Sequence, residues 1–332
     1  MTTVQARQLV RSTRWPKAAA ILVLIGVAAW IPQRGSTFTA SLALNILIFG
    51  LLATSLDLMA GYTGLVSLGH AAFLGIGAYG IAIATNHHIS PNMAIPIALA
   101  AVLLAAGILG VVAVRVRDLT FVILTLALSQ LVWGLALLWV SVSGGDNGLS
   151  VNSLPVLGPF DLNTPNTLYY FVLVIFLLCE TLLWAIVRSP FGLSLQGIRD
   201  NEQRMRTLGY NVSLHKYLAF VISSSLAGVA GILYAFYNLY VTPNSIDFSH
   251  NGIIVMMAIV GGLGTLWGPL VGAGVVVFIQ LYVSIHVTRW VTLLGVVFVL
   301  TVLFAREGLW GTFLKLPGML ARIRQRRSSP VA

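Results

Sequence analysis

Residues 188–216 read RSPFGLSLQGIRDNEQRMRTLGYNVSLHK and form the longest polar interruption in an otherwise hydrophobic chain. Apolar runs long enough to cross a bilayer lie on both sides of this stretch, so the stretch itself must lie in water. It carries more arginine and lysine than aspartate and glutamate, and loops with that bias lie on the cytoplasmic side of membrane proteins. The sequence therefore predicts a cytoplasmic loop between two membrane spans.

Within this loop, Pro190 and Gly192 are predicted to break the chain ahead of one short helix over residues 195–208. The apolar residues of this helix fall on one face, with Glu202 as the polar step in the stripe, and the arginines form a flank. A helix of this kind suits docking into a groove on a soluble partner, although an ordinary basic loop has a similar composition. The predicted docking residues are Leu195, Ile198, Arg199, Asp200, Glu202, Arg204, Met205, Leu208 and Gly209.

The composition excludes a soluble enzyme. The chain has 332 residues, of which 58% are hydrophobic and 8% are charged, whereas soluble domains carry roughly 25% charged residues. We therefore predict an all-α polytopic membrane protein. The formal net charge is +10, but the basic residues lie in loops and tails, as orientation signals do, which argues against a nucleic-acid partner. Cys179 is the single cysteine, so a disulfide framework or a thiolate metal cluster is excluded.

About ten transmembrane helices are predicted, of which the first, eighth and last are short, which indicates tilted, broken or partly re-entrant segments. If both termini are cytoplasmic, every arginine and lysine except Arg34 and Arg289 lies inside, so the charge bias selects this orientation. The predicted domains are a basic cytoplasmic N-terminus (1–17), a transmembrane domain (18–305) and a basic cytoplasmic tail (306–332). The predicted spans are 18–32, 40–60, 66–85, 93–113, 120–142, 167–187, 217–241, 250–262, 266–286 and 290–305.

Glycine-rich stretches and a few polar residues interrupt the apolar runs. Small residues let membrane helices approach closely, and broken helices are tolerated where they line a cavity. Asp57 and His70 flank one glycine-rich turn, where they either pair and fix the turn or contact substrate. Glu180 lies in the middle of a span, where it is either protonated or hydrogen-bonded to a neighbouring helix. The candidate residues for a translocation path or for structural polar contacts are Asn45, Asp57, Gly61, Gly64, Ser67, Gly69, His70, Gln130, Gly261 and Gly264.

Five stretches resemble the permease subunits of branched-chain amino acid ABC importers, in particular the M-type subunit. Together they cover much of the chain between residues 61 and 273, in the family's order. This chain departs from the family where Arg204 and Met205 replace small residues ahead of Gly209, and where Asp118 replaces a common glycine. The five stretches are GYTGLVSLGHAAFLGIGAY (61–79), RVRDLTFVILTLALSQ (115–130), SGGDNGL (143–149), the segment 188–235 and GGLGTLWGPLVGA (261–273).

The resemblance implies the type II ABC importer permease fold, with 188–216 as the coupling loop that contacts an ATPase. It implies a heterodimer with a second permease, two ATP-binding subunits and an extracytoplasmic substrate-binding protein, in the bacterial inner membrane. The sequence itself lacks a G-x-x-x-x-G-K-[ST] loop, so we expect no cofactor here, with ATP and Mg²⁺ bound by partner subunits, and no enzyme activity in this chain. The alternatives are a permease for urea, amides or aromatic acids, an ion-coupled secondary transporter, or a structural membrane subunit.

Overall fold

The computed structural model describes residues 37–116, 118–157, 160–305 and 307–313. These residues form a bundle of helices joined by short turns, with two pairs of two-residue strands as the departure from the all-α prediction. The helices are α1 (Thr37–Asp57), α2 (His70–Asn86), α3 (Pro91–Ala113), α4 (Asp118–Leu138), α5 (Val140–Ser143), α6 (Pro165–Arg188), α7 (Pro190–Asp200), α8 (Glu202–Thr207), α9 (Val212–Asn238), α10 (Phe248–Gly261), α11 (Gly268–Phe278), α12 (Ser284–His286) and α13 (Trp290–Phe304). The strands are β1 (Leu149–Ser150), β2 (Val156–Leu157), β3 (Phe160–Asp161) and β4 (Tyr240–Val241), and β1 pairs with β4 and β2 with β3, both antiparallel.

Within the described ranges, six helices are long and apolar enough to cross a membrane, which confirms the polytopic class. They are α1 with its π-helical extension to Tyr62, α3, α4, α6, α9, and α11 with its extension to His286. The spans predicted at 250–262 and 290–305 form the shorter apolar helices α10 and α13, as their length suggested. The span predicted at 18–32 lies outside the described residues, so the count of about ten stays a prediction.

Helix α9 lies at the centre of the bundle, where it packs against α1, α2 and α3. Glycines let α2 and α9 approach closely. A Cβ atom at Gly77 would lie 2.2 Å from the carbonyl oxygen of Gly228, and one at Gly231 would lie 1.9 Å from the carbonyl oxygen of Leu74. Both contacts exclude any side chain, which agrees with the role of small residues at membrane helix interfaces.

The two ends of the bundle differ in charge. One end, called the basic end, carries the turns at 57–69 and 261–268 and the segment 188–216. The other end, called the opposite end, carries the paired strands β1 and β4 and the contact between Asn86 and Asn152. Among the described residues, every arginine and lysine except Arg289 belongs to the basic end.

Candidate functional site

The segment 188–216 folds as two helices, α7 and α8, and not as the single helix predicted over 195–208. Helix α7 begins at Pro190, with Ser189 as the N-cap whose hydroxyl accepts the Gly192 amide at 3.3 Å. Proline is favoured at the first position of a helix because its missing N–H has no helical partner there. The predicted break ahead of the helix is therefore present at Ser189, between α6 and α7, but Pro190 and Gly192 lie in the first turn of α7 and not ahead of it.

Asn201 divides the segment. Its backbone is extended, and its side-chain oxygen accepts the Arg204 amide at 2.9 Å, so it caps the start of α8. Asparagine is a preferred N-cap because it satisfies one of the free amides of the first turn. Gly209 follows Leu208, the cap of α8, and has a φ of +88°, the left-handed conformation that commonly ends a helix.

The apolar face of the segment points mainly into its own chain. Leu195 joins the main core, and Ile198 and Met205 form a small buried cluster with Val212. The expectation that Leu195, Ile198 and Met205 bind a partner protein is therefore wrong, since the bundle already covers them. Leu208 differs, because its side chain is 65% exposed.

Charged residues of the segment also bind the chain itself. Glu202 pairs with Arg206 at 2.8 Å and with Lys216 at 2.6 Å, and Lys216 is buried at the start of α9. Glu202 thus fastens α8 to α9. Asp200 is exposed and lies 3.4 Å from Arg199, a distance and exposure at which the pair contributes little.

The exposed apolar residues of the segment are Leu193, Leu208, Tyr210 and Leu214. Three of them were missed by the helical pattern because they lie outside the predicted stripe. Tyr210 follows Gly209, and its ring lies 5.8 Å from the ring of His215, which stacks on Phe191 at 5.6 Å. This contact joins the turn after α8 to the start of α7.

The two glycine-rich turns meet at the basic end. Asp57 accepts the Gly264 amide at 2.6 Å, and Arg199 donates to the Gly61 carbonyl oxygen at 2.5 Å. Gly64 and Gly264 have φ values of +80° and +75°, which side chains rarely adopt. We call these five residues, Asp57, Gly61, Gly64, Arg199 and Gly264, the glycine junction.

The turn between α10 and α11 is closed by further glycine contacts. A Cβ atom at Gly261 would lie 2.0 Å from the carbonyl oxygen of Gly268. Gly262 has a φ of +118°, and a Cβ atom there would lie 2.4 Å from the carbonyl oxygen of Glu307. The C-terminal part of the described chain thus packs directly on this turn.

The start of α2 is held by buried side chains of other helices. His70 Nε2 lies 2.7 Å from the Ser223 hydroxyl, and Asn251 accepts the Ala71 amide at 3.1 Å. The Leu68 amide donates to Thr125 Oγ1 at 3.1 Å. The suggested pairing of Asp57 with His70 is therefore wrong, because each has a different partner. We call the five side chains that hold this helix start the α2 network; they are His70, Thr125, Ser129, Ser223 and Asn251.

Other candidates make local contacts. Asn45 donates to the Ser41 carbonyl oxygen at 2.9 Å within α1, and Ser67 accepts the Gly69 amide at 3.2 Å. Gln130 Nε2 and both carboxyl oxygens of Glu180 are buried without a hydrogen-bond partner among the described residues. In the same part of the chain, no group of three or more histidine, cysteine, aspartate or glutamate side chains is arranged to hold a metal ion.

Membrane-length helices with glycine-lined breaks and a basic segment at one end define a polytopic membrane protein. The chain belongs to the family described as branched-chain amino acid transport system / permease component, whose family model matches residues 38–305. This confirms the family predicted from the five sequence stretches.

Relatives support the same assignment. The chain is 26% identical over 325 residues to the high-affinity branched-chain amino acid transport system permease protein LivM of Salmonella typhimurium (strain LT2), covering 90% of this chain and 76% of the relative. It is 28% identical over 291 residues to LivM of Escherichia coli (strain K12), covering 79% and 67%. It is also 28% identical over 274 residues to the autoinducer 2 import system permease protein LsrC of Enterobacter sp. (strain 638), covering 76% and 74%. No solved structure matches the chain.

Proposed function

We propose that this permease is one of two different membrane subunits of an ATP-driven importer for branched-chain amino acids. ATP and Mg²⁺ bind to two separate ATPase subunits, and an extracytoplasmic binding protein delivers the substrate. The proposal includes the type II importer fold with about ten spans. Its support is the family, the similarity to LivM proteins over most of the chain, and the absence of a phosphate-binding loop from the sequence.

The proposed orientation places the basic end in the cytoplasm of a bacterial cell, at the inner membrane. The uneven placement of arginine and lysine supports it, because cytoplasmic loops are enriched in these residues. The opposite end, which includes Asp146 and Asp247, then faces the binding protein. Both termini lie in the cytoplasm in this arrangement.

The segment 188–216 is proposed to bind the ATPase through its exposed side. The observation that carries this proposal is the division of the segment into a buried face and an exposed face. Leu195 and Ile198 fix α7 to the bundle, while Leu208 and Tyr210 remain exposed beside Arg204. Apolar and aromatic anchors with a charged rim are typical of the central part of a protein interface.

Substitution of Leu208 by aspartate tests this proposal. Loss of an interface anchor typically costs 2 kcal/mol or more, which is a fall in affinity of about thirtyfold. We expect Leu208→Asp to insert normally in the membrane but to retain less than a tenth of the co-purifying ATPase. Leu195→Asp should instead reduce the amount of inserted chain, since Leu195 lies in the core.

Val287→Asp is the matched control for Leu208→Asp. It introduces the same charge at an exposed apolar position of the opposite end, and it should leave ATPase co-purification unchanged. Unaltered ATPase binding by Leu208→Asp would contradict docking through this face. If wild-type chain recovers no ATPase at all, the importer proposal itself fails, in favour of a secondary transporter or a structural subunit.

The substrate class is proposed from the LivM relatives, and the LsrC relatives make an autoinducer 2 permease the second candidate. The LivM similarity covers a larger share of this chain, 90% against 76%. Thermal-shift measurements on the purified cognate binding protein distinguish the two. Stabilisation by leucine, isoleucine or valine supports the proposal, whereas stabilisation only by autoinducer 2, urea, amides or aromatic acids contradicts it.

A further inference from the structure

The side chain of Arg199 extends from the segment 188–216 to the glycines of the glycine junction. It lies in the last turn of α7, and its guanidinium donates to the Gly61 carbonyl oxygen, 138 residues away in the sequence. Its aliphatic stem covers Gly64, where a Cβ atom would lie 2.7 Å from Arg199 Cγ. The space beside Gly64 is thus filled by this one side chain.

The other described basic residues of the segment are engaged differently. Arg206 and Lys216 pair with Glu202 inside the segment and its adjoining helix, and Arg188 stacks over Trp184 of α6. Arg204 is exposed. Among these described cations, Arg199 is therefore the one that is bonded to the break at the end of α1.

Asp57 extends this connection to the second break. Its carboxylate is buried and accepts the amide of Gly264, in the turn between α10 and α11. The guanidinium lies over the same turn, because a Cβ atom at Gly264 would lie 3.5 Å from Arg199 Nη1. Asp57 thus joins the end of α1 to the turn at Gly264, and Arg199 lies beside both.

Arg199 contacts both helix breaks at glycines, which are Gly61 and Gly64 after α1 and Gly264 between α10 and α11. We propose that Arg199 is the positioning residue that transmits movement of the segment 188–216 to both helix breaks during transport. Movement of α7 carries the guanidinium with it, the guanidinium moves the Gly61 carbonyl, and Asp57 moves the turn at Gly264. The inference rests on the proposed function, because it needs an ATPase that moves the segment.

The test uses the complete importer in proteoliposomes, with radiolabelled leucine as the transported probe. Arg199→Gln removes the charge and shortens the reach, so we expect leucine transported per ATP hydrolysed to fall at least tenfold. ATPase co-purification and the concentration of loaded binding protein that gives half-maximal ATP hydrolysis should stay as in the wild type. A residue that only stabilises the fold would lower the amount of assembled importer and leave this ratio unchanged.

Two further variants keep the test decisive. Arg199→Lys retains a cationic donor on a long stem, so it should recover part of the coupling that Arg199→Gln loses. If Arg199→Gln does not assemble, transport per ATP is measured with Arg199→Lys instead. Arg115→Gln makes the same chemical change at an exposed position of the basic end, and it should transport normally.

Specific outcomes overturn the inference. If Arg199→Gln and Arg199→Lys both transport as much leucine per ATP as the wild type, Arg199 does not transmit movement. If Arg199→Gln releases the ATPase, Arg199 belongs to the docking surface instead. A wild-type permease that binds no ATPase refutes the proposed function. An assembled importer in which substitution of Arg199 leaves the leucine transported per ATP unchanged refutes only the role of Arg199.

Discussion

The two helix breaks at the basic end are held in opposite ways. The chain before α2 is held by side chains of α4, α9 and α10, all of them buried and each with a hydrogen bond to a partner in another element. The turn between α10 and α11 is held by close glycine backbones and by the Asp57 carboxyl group, which accepts the Gly264 amide, and it lies beside Arg199, whose side chain is 41% exposed. Opening the first break would leave several buried polar side chains without partners, whereas opening the second would leave one, Asp57.

This difference teaches which part of the molecule can move. A buried polar group that loses its partner costs about 1–3 kcal/mol, so the α2 network opposes any displacement of the start of α2. The glycine contacts involve fewer such groups, since backbone packs on backbone there and the buried Asp57 carboxyl group bonds to the Gly264 amide. We therefore expect the α2 network to be a fixed point and the glycine junction to be the adjustable one.

The largest effect is expected at the glycine junction itself. A Cβ atom at Gly61 would lie 2.1 Å from Asp57 Oδ1 and 2.2 Å from the backbone nitrogen of Gly264. Gly61→Ala must push the two turns apart, and we expect a loss of about 3 kcal/mol, the upper end of the usual cost of overpacking. The measurement is the fraction of chain that remains monodisperse in detergent on heating.

Gly252→Ala is the control for Gly61→Ala. Gly252 lies in α10, and no atom lies within 4 Å of the position of its missing Cβ. The substitution should be neutral or slightly stabilising, by up to about 1 kcal/mol, because alanine is the better helix former. Equal stability of Gly61→Ala and the wild type would mean that the two turns do not touch, and the glycine junction would then not exist as described.

The same comparison explains what the sequence predicts and what it does not. Span positions follow from hydropathy, because the bilayer forces about 20 apolar residues together wherever the chain crosses. The short α10 and α13 were predicted for the same reason. The glycine clusters at 61–64 and 261–264 were recognised as unusual, but their contact across about 200 residues (61 to 264) depends on packing that no local pattern encodes.

What the apolar face of the segment 188–216 contacts was harder to predict. Helical spacing places Leu195, Ile198 and Met205 on one face but does not say whether that face meets the chain's own bundle or a partner. Asn201 carried a detectable signal, since an asparagine followed by a glutamate is typical of a helix start. Asn251 and Ser223 gave no such signal, because single polar residues in apolar helices reveal their partners only in the folded bundle.

A smaller effect is expected at the α2 network. Asn251 accepts the Ala71 amide and donates to the Ser129 hydroxyl at 2.9 Å. Asn251→Leu leaves that amide without its acceptor, and we expect a loss of about 2 kcal/mol. Asn238→Leu is the matched control, because exposed Asn238 donates within α9 to the Tyr234 carbonyl oxygen; its stability should change by less than about 0.5 kcal/mol.

The smallest effect that still separates the two breaks is expected at Thr125. Its hydroxyl accepts the Leu68 amide at 3.1 Å and donates to the Val122 carbonyl oxygen at 3.0 Å. Thr125→Val keeps the shape but removes the acceptor, so we expect a loss of about 1 kcal/mol, whereas Thr125→Ser keeps the hydroxyl and should lose less.

Thr85 provides the comparison, because it is also a buried helical threonine but donates only within α2, to the Ile81 and Ala82 carbonyl oxygens. Those carbonyls already accept helical amides, so Thr85→Val should be close to neutral by the same thermal measurement. If Thr125→Val is equally neutral, the Leu68 amide does not depend on Thr125, and the chain before α2 is held less firmly than the α2 network implies. A clear difference between Thr125→Val and Thr85→Val would show that the fixed break is fixed by bonds between helices, since the two substitutions are chemically the same and differ only in whether a bond to another element is lost.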